Sequence, residues 1–355
     1  MISLKIPHAV IAQYAKDIGV NVTDAIEKKF KQHDAGSVNL LKCELLFYET
    51  IALDTAAFLA LTPSAIEAEF EALYTAIPDY AVLASGSLPK IERHIPLHLL
   101  PRYKKLWSKH RAGGKKERCL CLFCKVSARA ESIFNWSKFT EKNPDAVPRE
   151  SLAGKFVKSL ALTVCPYCSR NYIAPLTEPT NAVYRPDLDH FYAQSIYPYF
   201  ALCLYNLIPS CSACNCRIKG DADFMLNKYF HPYEHDAPEQ LFVLDGAGVH
   251  NVQRIDASSA FLRLQTDIDE RAKKSAEFFR LPLAYESHLR EACHFADSLR
   301  LIPTAALQER ARLLKVDLSY LMLILNRSDD PFDESYKHRA LGKLMRDMQL
   351  LFQKP

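Results

Sequence analysis

The sequence predicts a mainly helical protein with a small α+β centre set between helical flanking regions. Three observations carry this expectation. Long stretches on either side of the middle repeat apolar residues at helical spacing. The chain holds only 10 glycines against 20 prolines, which argues against a glycine-loop enzyme and against a flexible low-complexity chain. Most of the Cys, His, Tyr and Asn with chemical potential crowd into residues 156–240.

Residues 1–105 read as a helical N-terminal region. The run VNLLKCELLFYETIALDTAAFLALTPSAIEAEFEALYTAI is amphipathic. It breaks at Thr62-Pro63-Ser64, and Ser64 with Glu67 three residues on fits a capping box. Residues 106–155 read as a basic, turn-rich connector. Between Arg102 and Arg129 there are ten Lys or Arg and a single acidic residue, Glu117. That local excess suits a polyanion or a solvated linker, with Lys115 and Lys116 as candidate contacts to nucleic acid. Residues 250–355 return to helix, in SSAFLRLQTDIDERAKKSAEFFRL, ESHLREACHFADSLRLI and TAALQERARLLKVDLSYLMLILNR. The stretch from Leu313 to Leu325 is apolar enough to be bundle core or a docking segment.

Composition excludes several classes. With 355 residues, 49% hydrophobic and 24% charged, the chain suits two or three folded units of about 150 residues each. No apolar run reaches the ~18 residues that span a bilayer. The opening MISLKIPHAV lacks a basic region followed by an apolar core. The expectation is a cytoplasmic protein with no membrane partner. Eleven cysteines in a reducing compartment are metal ligands or nucleophiles before they are disulfides.

Cys165-Pro-Tyr-Cys168 and Cys211-Ser-Ala-Cys214 are two C-x-x-C pairs. Together they supply the four thiolates of a closed tetrahedral Zn2+ site, which holds a fold and leaves no position for chemistry. Catalysis would then come from the insert. There, Asp187 and Asp189 flank Leu188 and share one face of a strand, with His190 next. Carboxylates suit Mg2+ or Mn2+, and an imidazole suits a general base. Tyr205-Asn206, Asn215, Arg217 and Lys219-Gly220 follow.

In that order, Asp-His, Asn-Leu, Cys-x-x-Cys-Asn and Lys-Gly resemble the HNH, or ββα-metal, endonucleases in their four-cysteine zinc form. The likeness spans Cys165 to about Gly220. The phrase LDHFYAQSIYPYFALCLYNLIPSCSACN looks particularly like HNH subunits of bacterial Septu-type antiphage systems, which accompany an ABC-like ATPase. The resemblance implies His190 as the base that activates water and Asp189 as a ligand of a catalytic Mg2+ or Mn2+. It implies Asn215 as the residue completing that metal site, and Asn206 as the one ordering the loop beside His190. Asp187 would be a supporting carboxylate. Lys219 and Arg217 are candidate phosphate contacts. The implied activity is phosphodiester hydrolysis of nucleic acid, DNA favoured over RNA, with an ATPase subunit or a second copy as partner. A ribonuclease with the same centre and an inactive zinc-stabilised binding module are the alternatives.

Four further features stay open on sequence alone. Cys119, Cys121 and Cys124 with His110 suggest a second zinc, but three ligands within six residues do not easily meet one ion. His231-Pro-Tyr-Glu-His235 suits a polar loop or a late metal histidine. Cys203 and Cys216 neighbour the motif without ligand spacing. Tyr192, Tyr197, Tyr199 and Tyr205 suit packing or base stacking.

Overall fold

Amphipathic spacing accounts for the first helices. In a computed structural model, which describes residues 1–249, 254–302, 304–325 and 334–352, helix α1 (His8–Asp34) buries Tyr14, Ile18, Val22 and Ile26 along one stripe. The stripe packs on α2 (Lys42–Leu53) and α3 (Thr55–Leu59). Helix α4 (Pro63–Ala76) starts two residues earlier than its sequence suggests. Thr62 is the cap, accepting from the Ala65 N–H at 3.4 Å, and Pro63 takes the first helical position, where its missing N–H has no intrahelical partner to lose. Glu67 is spent elsewhere: it pairs with Lys228 and accepts from the Tyr192 hydroxyl at 3.2 Å. Helices α5 (Pro78–Ala84) and α6 (Leu88–Ile91) follow.

The stretch expected as a turn-rich connector is largely helix: α7 (Leu100–Ala112), α8 (Lys115–Leu120), α9 (Leu122–Ile133), α10 (Trp136–Thr140) and α11 (Leu152–Ser159). Its charges mask an apolar stripe. Phe123, Val126, Ala130 and Ile133 recur at three- and four-residue intervals, and α9 buries all four against α5 and α1. Arg129 turns inward and grips fully buried Glu44 with two bonds of 2.6 and 2.5 Å, clamping α9 to α2.

Three small antiparallel strand pairs occupy the second half of the described residues. Strands β1 (Leu176–Thr177) and β2 (Ala182–Tyr184) form a largely exposed hairpin. Strands β3 (Asp187–His190) and β4 (Leu207–Ser210) pair with Asp187 opposite Ser210 and His190 opposite Leu207. A π-helical segment, Ala213–Lys219, follows β4 and lies against β3. Gly220 ends it with φ of 50° and ψ of −129°, a conformation that side chains other than glycine rarely tolerate. The link between β3 and β4 is buried: Tyr197, Tyr199 and Phe200 run into an aromatic cluster where Phe47 stacks on Tyr80 at 4.1 Å. A short helix, α12 (Phe224–Asn227), comes next.

Beyond it, the first of the three C-terminal segments expected as helix begins as strand. Phe261–Leu264 is β6, paired with β5 (Phe242–Asp245), and helix resumes only at α13 (Glu270–Phe278), capped by Asp269. Helices α14 (Leu281–Tyr285), α15 (Leu289–Leu301), α16 (Thr304–Leu314), α17 (Leu318–Ile324) and α18 (Gly342–Phe352) complete the described chain. The apolar 313–325 stretch is split between α16 and α17. Leu313, Leu314 and Tyr320 are exposed, while Met322 is buried. One connected core joins residues of the N-terminal helices, the two later strand pairs, α13–α15 and α18, while buried Leu307, Ala311 and Met322 of α16 and α17 lie outside it. Among the described residues no helix is long and apolar enough to cross a membrane.

Candidate functional site

The first knuckle is built by backbone bonds. The Cys165 N–H donates to Asn171 O at 3.0 Å, and the Ser169 N–H donates back to Cys165 O at 2.8 Å. The second forms where β4 ends: Cys211 follows the strand and Cys214 lies in the π-helical segment. The sulfurs of Cys165, Cys168, Cys211 and Cys214 lie within 4.8 Å of one another, all buried. Cys168 and Cys211 are 4.0 Å apart. Zn–S bonds of about 2.3 Å in a tetrahedron place sulfurs about 3.8 Å apart, so the cluster fits Zn2+. Thiol hydrogen bonds, foremost from Cys165, together with the Asn171 amide at 3.2 Å, pull Cys211 far below the usual thiol range. The group can hold a metal ion such as zinc.

Beside this cluster, β3 turns its two carboxylates under the π-helical segment. Asn215 Nδ2 meets Asp187 Oδ2 at 3.4 Å, and the Cys216 thiol approaches the same oxygen at 3.4 Å. One turn on, Lys219 meets Asp189. Its ammonium donates to Asp189 Oδ1 at 2.9 Å and to the His190 carbonyl at 2.7 Å, and Tyr167 donates to Asp189 Oδ2 at 2.5 Å. The Lys219 and Asp189 side chains are 1% and 2% exposed. Lys219 therefore faces inward, where sequence alone suggested phosphate, and Asp189 has both oxygens engaged. Asp187 and Asn215 are the half-buried members of the face, and Arg217 is exposed.

His190 ends β3 on the opposite side of the strand. Its Nε2 lies 3.0 Å from the Ala201 carbonyl. A carbonyl only accepts, so Nε2 carries the proton and Nδ1 keeps its lone pair. The Trp136 ring meets the imidazole edge-on at 4.4 Å. Burial pushes the His190 pKa down to about 4, which keeps the ring neutral at physiological pH. Fully buried Asn206 ties down the loop leading away from His190. It accepts from the Tyr192 N–H at 2.7 Å and donates to the Tyr192 and Phe200 carbonyls at 3.2 and 3.0 Å.

The neighbouring features resolve mostly as packing. Tyr192, Tyr197 and Tyr199 are fully buried, and Tyr205 packs edge-on against Tyr233. The Cys203 thiol points to Phe58 O. His231 lies under Phe191 with ring centroids 4.1 Å apart, and His235 Nδ1 accepts the His231 N–H at 2.8 Å. Neither histidine joins a group of metal-type donors among the described residues. Lys115 and Lys116 are exposed on α8, whereas Arg102 pairs with Asp79 and Lys104 with Glu92. Sequence reasoning missed the Tyr167–Asp189–Lys219 link. The alternation of Asp187 and Asp189 against Asn215 and Lys219 four residues apart was the available signal.

No known protein-family pattern matches this chain, and neither the curated proteins nor the solved structures yield a match.

Proposed function

We propose that the chain is a metal-dependent nuclease of the HNH type, with a structural zinc at its four cysteines. The observation that carries this reading is His190. The ring ends a strand that pairs into a strand–strand–helix unit held by two cysteine knuckles, and a backbone carbonyl fixes its tautomer so that Nδ1 is free to take a proton. The preference for DNA over RNA, the antiphage setting and an ABC-like ATPase or homo-oligomeric partner rest on the resemblance alone.

In this reading His190 removes a proton from the water that attacks phosphorus, and Asn206 holds the adjoining loop so that the ring keeps its angle. The oxygen donors on the carboxylate face of β3 suit Mg2+ or Mn2+. Asn215 with Asp187, and Asp189 if Lys219 releases it, would hold the ion. Such an ion, when bound, offsets the charge that develops on the phosphate and the leaving oxygen. The closed Asp189–Lys219 pair favours a second reading, a zinc-stabilised module that binds nucleic acid without cutting it.

Incubation of plasmid DNA and total RNA with the zinc-loaded chain and added Mg2+ or Mn2+ tests both. Metal-dependent cleavage that His190→Ala abolishes supports the nuclease. Binding without cleavage, or cleavage that persists in His190→Ala, refutes it.

A further inference from the structure

The basic helices carry a second gathering of metal-type donors, remote in sequence from the four-cysteine cluster. His110 lies in the last turn of α7, Cys121 caps α9 and Cys124 sits in its first turn. The donor atoms of the three lie within 4.8 Å of one another. His110 Nδ1 is 2.9 Å from Cys121 Sγ and 3.9 Å from Cys124 Sγ. A tetrahedral zinc with bonds of about 2.1 Å to nitrogen and 2.3 Å to sulfur separates such donors by about 3.6 Å, between the two observed values. Cys121 also accepts the Cys124 backbone N–H at 3.5 Å, so the pair already has a knuckle's N–H to sulfur bond. The imidazole is held from behind by Trp107, stacked at 4.5 Å. Cys119 is exposed and outside the group.

We propose that His110, Cys121 and Cys124 bind a second Zn2+, with the fourth position open to solvent. Binding converts the two thiols to thiolates and releases two protons, and the resulting two-thiolate, one-imidazole unit is electrically neutral. The ion ties the end of α7 to the start of α9 and so closes the loop that carries α8. Its neutrality adds no negative charge beside the exposed cations Arg111, Lys115, Lys116 and Arg118. The expectation that the three clustered cysteines do not easily meet one ion holds for a local reason. The donors are not Cys119, Cys121 and Cys124 together, because α8 turns Cys119 outward and α7 supplies His110 in its place. This site stands independently of the nuclease reading.

Elemental analysis of the full chain, loaded with Zn2+ and desalted, provides the test. The expected content is about two zinc per chain, falling to about one in the double variant His110→Ala with Cys124→Ser. One zinc in the unaltered chain overturns the site, and so does a double variant that keeps both. Should the double variant not fold, alkylation of the unaltered chain decides. Trypsin cleavage after Arg118 and Lys125 releases Cys119, Cys121 and Cys124 on one peptide. With Zn2+ bound, iodoacetamide modifies Cys119 and spares the other two. All three become modified at a chelator concentration that still protects Cys165 and Cys168. Equal modification of Cys121 and Cys124 with and without that chelator refutes the proposal.

Discussion

Breaking the Lys219–Asp189 pair provides the sharpest probe of the centre. Both side chains are almost wholly out of solvent. Lys219→Met keeps the aliphatic stem beside the Phe224 ring, which the ammonium now faces at 4.9 Å, but removes its bonds to Asp189 and to the His190 carbonyl. Asp189 is then a buried carboxylate supported by Tyr167 alone. Removing one partner of a buried ion pair costs about 3–5 kcal/mol, a large share of an ordinary domain's stability of about 5–15 kcal/mol. Asp189→Asn alone strands the ammonium and costs a similar amount. The double variant Asp189→Asn with Lys219→Met leaves no unpaired charge and still offers Tyr167 an acceptor. It should lie within about 1–2 kcal/mol of the parent, because replacing both members of a buried pair is often close to neutral. Urea unfolding of the zinc-loaded protein, followed by far-ultraviolet circular dichroism, gives the three values and their coupling. If each single variant lies within about 0.5 kcal/mol of the parent, the pair is solvated and the reasoning fails. Asp189 would then be as available to a cation as Asp187.

Four further outcomes are expected. Cys211→Ser should yield protein that is insoluble or stripped of its four-cysteine zinc, because metal binding there is folding free energy; elemental analysis with a melting curve checks it, and a stable, fully zinc-loaded variant contradicts it. His190→Ala should lower cleavage by about 10²–10⁴-fold with nucleic-acid affinity retained. Because its folded pKa is depressed from 6.5 to about 4, the unfolded chain binds the extra proton first. The parent should therefore lose stability as pH falls from 6.5 towards 4, and His190→Ala should flatten that slope in urea titrations. Lys115→Gln with Lys116→Gln should reduce the slope of log affinity against log salt by about 0.7–0.9 per lost contact, whereas Arg129→Gln should leave the slope unchanged and destabilise the fold.

What was legible in the sequence had a local cause. The two C-x-x-C pairs announce a four-thiol cluster because each knuckle aims both sulfurs by itself, whatever the 42 residues between them do. The amphipathic stripe of α1 is legible for the same reason. Glu67 fits a capping box that does not form because such a box is only a spacing, and Pro63 fixes the helix start two residues upstream. The strand at Phe261–Leu264 fits a helical pattern as well, because so short an apolar run suits either period, and only pairing with Phe242–Asp245 decides it. Lys219 reads as a phosphate contact and Arg129 as part of a basic connector because charge alone does not reveal a buried carboxylate about 30 or 85 residues away. The meeting of His110 with Cys121 and Cys124 depends on how α8 turns the chain, which no spacing rule encodes.

The tie between α1 and the link that joins β3 to β4 also has a consequence for how the chain is made. The Tyr14 hydroxyl donates to the Leu202 carbonyl at 2.8 Å across 188 residues, and Ile2 and Leu4 donate to the carbonyls of Pro166 and Pro232. A ribosome adding about 5–20 residues per second leaves a delay of about 10–40 s between the emergence of α1 and that of its partners. Throughout that interval Tyr14 lacks its Leu202 partner, although α2 and α3 already cover part of the α1 stripe. Early helices of this kind are where a nascent chain is most exposed to chaperone capture or mispairing. Slowing translation between residues 34 and 200 should therefore lower the soluble yield more than slowing it after Leu301.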